Sequence, residues 1–505
     1  MSDNIFLIFP HQLFKDVSIL NNYNKVYLIE EPIFFYSKSR PLKFHKLKLL
    51  LHRASMKYYY DYLNDKKINV IYIDYYNDYK FITKKVKSVS YYDVVDHLLQ
   101  RKLDKIMSKK KIDIEKIYDS PNFICKYEHL NYIRNNIFKG RSHLSHVTFY
   151  TYMRKTFDIL LNNRGNYEGN KLSFDEENRL PLPTNQEYNI PDIHNKKSKY
   201  VDDAKIWVNN NFSNNYGTMD NISHMVFTHK DAEKMLDDFV DDKLVHFGDY
   251  QDAISLSSPF LYHSLLSHAI NVGLLDPIDC INKVINKWKN NKRVGLNNVE
   301  GFIRQILGWR EYTRYLYVYH YDDMVKKNYM KAHNKLTKDW YDGTTGWKPI
   351  DDTIKSAFKY GYLHHIQRLM IMGNIMNLMK FDPHEVYKWF MEFAIDSYDW
   401  VMISNVYSMA LFADGGLTTT KPYISSSAYL LKMSGGRFKK DGIWNEDMNV
   451  LFYNYIGTSP KISGMNYFEY NGRVKQLYLL WNRKDDNEKR EIMNKAKSIM
   501  RKLSK

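Results

Sequence analysis

Short apolar runs alternate with amphipathic stretches through the first part of the chain. IFLIF at 5–9 is a continuous apolar run ended by Pro10, the pattern of a buried strand. VYLIEE at 26–31, INVIYIDY at 68–75 and VSYYDVV at 89–95 repeat it. Between them, Leu47, Leu50, Leu51, Ala54 and Tyr58 recur at helical spacing, and Leu98, Leu99, Leu103 and Ile106 do the same after the fourth run. Strand and helix in alternation predict a parallel sheet with helices on both faces, a Rossmann-like α/β domain over 1–135. It contains neither GxGxxG nor a Walker A sequence, so no motif there supports dinucleotide or triphosphate binding.

The pattern then changes twice. Residues 136–200 carry a helix near 144–162 and a polar stretch, NNRGNYEGNKLSFDEENRLPLPTNQ, whose Gly, Asn and Pro predict an interdomain linker. From 201 to 505 strand-like runs give way to helical periodicity, which predicts a larger all-α domain ending in a basic surface helix.

Composition narrows the function. The 505-residue chain carries a formal charge of +17, which favours a polyanionic partner, nucleic acid before an anionic membrane. Two distant cysteines, Cys125 and Cys280, exclude a disulfide framework and any four-cysteine zinc or iron–sulfur site built by this chain alone. They fit a reducing, intracellular compartment. MSDNIFLIFPHQ lacks the basic region and the long apolar run of a signal peptide, and no apolar run is long enough to span a bilayer.

The candidate chemistry concentrates in three segments. In 247–277, Ser257, Ser258, Ser264 and Ser267 with His263 precede a helix, an arrangement that holds a phosphate or merely caps the helix. In 299–317, Arg304, Gln305, Trp309, Arg310, Glu311 and Arg314 occupy consecutive turns, where each also has an ordinary core or ion-pair reading. In 360–416, His364 and His365 lie in a helical run, with Arg368 one turn after His364. Those histidines read as core residues bonded to carbonyls, as a general acid near neutral pH, or as metal ligands. Adjacent helical positions point about 100° apart, which suits one metal poorly. Asp396 and Asp399 sit among apolar residues and need partners, of which Arg368 is the first candidate.

FGDYQDA, HSLLS, INVGLLDP, EGFIRQILGWREY, HHIQRLM, GN at 373–374, FADGG and TKPY, in this order, resemble the photolyase/cryptochrome family. The nearest resemblance is to bacterial (6-4) photolyases that carry an iron–sulfur cluster. The resemblance implies an antenna-type α/β domain and FAD held in the helical domain. It implies cofactor contacts at Ser264, Leu266, Ser267 and Asn271 from the HSLLS segment, and at Trp309, Arg310 and Glu311 from WREY. It further implies an Arg368–Asp396 pair at the flavin, with Tyr398 and Met402 nearby, and His364 and His365 as the catalytic pair, His365 being the acid. Trp340, Trp389 and Trp400 are the implied electron carriers.

Departures qualify the resemblance. The cluster cysteines are missing, so no iron–sulfur cluster is expected, nor any other metal. Phe390 replaces a redox-active Tyr, and Met402 stands where a polar residue often faces the flavin. His11 replaces an acidic residue before Gln12, which puts a lumazine or other antenna chromophore in doubt. The expected function is blue-light repair of UV-damaged DNA by a monomeric enzyme, on (6-4) photoproducts because a histidine pair suits proton transfer. The alternatives are repair of cyclobutane dimers, or a cryptochrome-like photoreceptor without repair.

Overall fold

The computed structural model describes residues 3–76, 79–83, 85–180, 182, 198–255 and 257–504. Residues 183–197 of the expected linker lie outside that set. Five strands form one parallel sheet: β1 (Asp3–Ile8), β2 (Lys25–Ile29), β3 (Val70–Ile73), β4 (Val86–Tyr92) and β5 (Asp113–Tyr118), in the order β3-β2-β1-β4-β5. β1 is central, with Leu7 opposite Tyr27 of β2 and Tyr91 of β4. Its residues Ile5 to Ile8 are fully buried, which is why the run is apolar without alternation. Helices α1 (Lys46–Asp65) and α2 (His97–Lys110) complete the α/β layers, each started by a side-chain cap, His45 for α1 and Asp96 for α2.

β5 is a strand that the apolar pattern does not predict. Its sequence, DIEKIY, is largely solvent-facing at the sheet edge, and charges there discourage pairing with another chain. The strand order reverses between β1 and β4, where open α/β sheets usually admit ligands. Here the chain after β1 spans that point with its own side chains. Gln12 Nε2 donates to Tyr92 O at 3.0 Å, and His11 Nε2 bonds Val94 O at 2.9 Å with its ring 4.7 Å from Phe34.

Beyond residue 120 the regular elements among the described residues are helices, apart from a two-stranded hairpin, Lys461–Ile462 with Met465–Asn466. Among them no helix is long and apolar enough to cross a membrane. The sheet domain is keyed to the helices by buried charge. Arg40 reaches Asp96 at 2.7 Å and Asp399 at 3.1 Å, and Asp399 also accepts from Tyr317 and Tyr387. Asp399 therefore belongs to this seam. Lys48 donates to Ser397 O, so the short segment 396–399 is gripped from the sheet side. That grip sets the position of Asp396.

Candidate functional site

The helical domain encloses a cavity of about 630 Å³, within the usual range for a cofactor or substrate pocket. Three wide-turn helical stretches contribute to its wall: Arg304–Arg310, Gln367–Gly373 and Ile403–Ala410. Such π-helical turns recur at functional sites because they displace side chains from regular α positions. Sequence periodicity gives no sign of them.

The histidine segment is placed by a glycine. Helix Lys348–Tyr360 ends at Gly361 in the left-handed region at φ 60°, where a Cβ would meet Ile395 Cγ2 at 2.7 Å. Ile395 N donates to Gly361 O at 2.9 Å, which lays this turn beside the chain leading to Asp396. The next helix begins at His365, so His364 precedes it and the expectation of two adjacent helical positions does not hold. Arg368 follows one turn on. Its Nη2 reaches Asp396 Oδ1 at 2.9 Å and Oδ2 at 3.2 Å, and its Nε donates to Leu363 O at 2.6 Å. Asp396 also accepts from Ser267 Oγ at 2.8 Å through Oδ2 and from Asn271 Nδ2 at 2.9 Å through its backbone oxygen. Burial pushes the Asp396 carboxyl up, but Arg368 and the Ser267 hydroxyl outweigh it and hold the group below its usual value. The pair is ionised and rigid.

Arg310 is a half-buried cation with capacity to spare. Its Nε donates to Asn122 O at 3.2 Å and its Nη1 to Asn271 Oδ1, while Nη2 finds no partner among the described residues. Its guanidinium lies 4.9 Å from the rings of both Trp400 and Phe123. Burial lowers its pKa to about 10, so it stays charged at neutral pH. Trp309 stacks face to face on His146, with centroids 3.8 Å apart and planes 11° apart. A Cβ at residue 308 would meet His146 Nε2 at 2.9 Å, so Gly308 is what lets His146 approach. The result is a flat aromatic wall.

His365 sits at the mouth with its side chain 42 % exposed, and its Nε2 bonds Asp252 Oδ1 at 3.0 Å. His364 is buried, and neither of its ring nitrogens has a partner among the described residues. Burial, then His263, His365 and Arg368, push it well below 6.5 and keep it neutral.

Of the expected site residues, Ser264, Leu266, Ser267, Asn271, Trp309, Arg310, His364, His365, Arg368, Asp396, Trp400 and Met402 line this cavity. Glu311 does not. It is one residue after Arg310 on the helix, hence about 100° around it, and accepts from Ile124 N at 2.9 Å and Cys125 N at 3.1 Å. Tyr398 does not either. Its extended backbone turns the ring into the seam, beside Phe34 and His52. Trp389 and Trp340 lie behind the wall. Phe390 lines the cavity, its ring is 5.1 Å from Trp389, and Trp389 Nε1 donates to Trp340 O at 2.7 Å. Sequence reasoning gave no role to Asp252 or His146, although Asp252 lies in FGDYQDA, and it placed His263 only with the serines that precede the helix.

The site fits FAD on the structure's own terms: an unspent Arg310 donor and the Ser264 hydroxyl for an anionic group, and an Arg368–Asp396 pair, braced by the Ser267 hydroxyl, in a wall that is mostly apolar.

Comparison with known proteins agrees. A model of the deoxyribodipyrimidine photo-lyase-related protein family matches residues 6–224, and one of the FAD binding domain of DNA photolyase matches 302–442. A (6-4) photolyase of Agrobacterium fabrum is 35 % identical over 377 residues, spanning 72 % of this chain and 71 % of that protein. An uncharacterised protein of Acanthamoeba polyphaga mimivirus is 54 % identical over 134 residues, 26 % of this chain and 100 % of the relative. A crystal structure of a bacterial class III photolyase from Agrobacterium tumefaciens superposes with a TM-score of 0.58 at 14 % identity, covering 99 % of this chain and 98 % of that one. A Synechocystis cryptochrome gives 0.57 at 13 %, covering 99 % of both, so these two structures share the fold. Sequence identity, matched domains and fold together place this chain in the photolyase/cryptochrome family.

Proposed function

We propose that this protein repairs UV-damaged DNA in blue light, reversing (6-4) pyrimidine–pyrimidone photoproducts. The observation that carries this reading is His365, held at the cavity mouth by Asp252. When bound, reduced FAD supplies light absorption and an electron. The residues supply position and proton control. Ser264 and the free donor of Arg310 hold the polar part of the cofactor, and the Arg368–Asp396 pair, braced by Ser267 and Asn271, fixes the part beside it. The Trp309–His146 wall offers a stacking surface to a base flipped out of the duplex.

Reversal of a (6-4) photoproduct returns a hydroxyl group to its original ring, which requires a proton to be given and recovered. A cyclobutane dimer needs no such transfer. Asp252 accepts from His365 Nε2 and fixes the orientation of the ring, leaving Nδ1 to pass the proton. His364, kept neutral by burial, is unsuited to that part. The +17 charge supports phosphate contacts that weaken with salt. The two cysteines of the chain are too few for a four-cysteine cluster, so the reading includes none. The test is product analysis of oligonucleotides carrying one defined lesion, with and without blue light. Restoration of the (6-4) lesion in light alone is expected. Restoration of the cyclobutane dimer alone would assign the other lesion, and restoration of neither would favour a photoreceptor.

A further inference from the structure

His263 comes from the loop that opens HSLLS, and His364 and His365 from the turn after Gly361. One ring nitrogen from each lies within 4.8 Å of the others. We propose that these three imidazoles form a binding site for a divalent transition metal, with Zn²⁺ as the fitting ion.

Buried polar groups are normally hydrogen-bonded. His364 is 2 % exposed and His263 8 %, yet both nitrogens of His364 and Nε2 of His263 lack a partner among the described residues. The two rings, each with an unpartnered nitrogen, lie with centroids 4.8 Å apart and planes 15° apart.

His365 adds the usual outer-sphere feature. Its Nε2 bonds the Asp252 carboxylate, a pairing that fixes the tautomer and orientation of a ligating histidine and leaves Nδ1 to bind. Tetrahedral Zn–N bonds of about 2.0–2.1 Å set ligand nitrogens roughly 3.4 Å apart. The trio therefore closes by at most about 1.4 Å, within reach of χ2 rotation of the rings. Three histidines with the fourth position open to the cavity match catalytic rather than structural zinc sites. The all-nitrogen donor set disfavours Mg²⁺ and Ca²⁺, which take oxygen ligands.

The test is equilibrium dialysis of the full chain, with flavin as isolated, against Zn²⁺, the bound metal being counted by elemental analysis. Wild type is expected to hold a single Zn²⁺, and His263→Ala and His364→Ala to lose it. Asp252→Asn is expected to weaken binding by about ten- to a hundredfold. Thermal melts report whether each variant is folded, and His263→Asn keeps the comparison available if an alanine variant is not. Nitrogen hyperfine structure from Cu²⁺ in the same site should show three imidazoles. No zinc on wild type, or equal zinc on wild type and a folded His263→Ala or His263→Asn, would overturn the proposal. Zinc on His365 takes the nitrogen that the repair reading uses to pass a proton, so bound zinc is expected to block repair, while the dialysis itself, with neither light nor DNA, tests the metal site alone.

Discussion

Buried histidines occur in two settings in this molecule. In the seam around the sheet domain, His229 Nε2 donates to Leu13 O at 2.8 Å and its Nδ1 lies 2.8 Å from Tyr58 Oη. His45 is equally satisfied, with Nε2 2.7 Å from Phe358 O and Nδ1 accepting from Leu47 N at 3.0 Å. In the cavity, His364 is buried to the same degree with neither nitrogen bonded. Burial is therefore no guide to role. His229 and His45 are spent on protein groups that would otherwise be orphaned; His364 keeps its lone pairs for something that enters.

The comparison can be sharpened from the aromatic side of the cavity, where the largest effect is expected. Trp389 stands behind Phe390 and bonds Trp340 O, so it is the first indole behind that part of the wall. An indole donates an electron readily and a phenyl ring does not. Trp389→Phe should nearly abolish blue-light bleaching of the bound flavin, while enzyme reduced chemically beforehand repairs normally. Transient absorption of a folded variant checks this, and unchanged yield would move the route to Trp400 on the cavity wall.

A seam histidine should behave oppositely. His229→Ala leaves Leu13 O and the Tyr58 hydroxyl without their partner, at a cost of about 1–3 kcal/mol for an unpaired buried group plus the lost packing. Chemical denaturation should show that loss with flavin binding intact. Loss of flavin from a folded His229→Ala would break the division between the two settings.

The smallest effect concerns Lys48, which lies behind Asp396 between the rings of Phe44 at 4.4 Å and Tyr398 at 5.0 Å. Burial lowers its pKa from 10.5 to about 7, with Asp396 opposing. Between those values the unfolded chain binds the extra proton, so stability rises with pH there, and the penalty is complete below about 7. Lys48→Met should flatten that rise relative to wild type. Parallel stability–pH curves for the two proteins would contradict it.

The sheet was legible because its central strands are buried on both faces, which makes IFLIF and VYLIEE continuous. β5 was not, because an edge strand exposes its charges. At the site, residues carried by HSLLS, WREY and HHIQRLM were legible as strings. What the strings do not encode is direction. Glu311 adjoins Arg310 in sequence but faces the backbone of Ile124 and Cys125, and Tyr398 leaves Asp396 for the seam. Asp252 and His146 were overlooked, and His263 was not joined to His364, because they meet their partners only through tertiary packing: His146 reaches Trp309 across 163 positions of chain (309 − 146).

The central claim is that His365, at the cavity mouth, acts on substrate while His229, in the seam, holds the fold. The direct measurement is light-driven restoration of one (6-4) oligonucleotide by folded His365→Ala and His229→Ala, side by side with wild type. The account predicts a loss of roughly 10²–10⁴-fold for His365→Ala, the usual scale for removing a general acid, with lesion binding and flavin content retained. It predicts a wild-type rate for His229→Ala below its melting temperature. Repair by His365→Ala at the wild-type rate would contradict it.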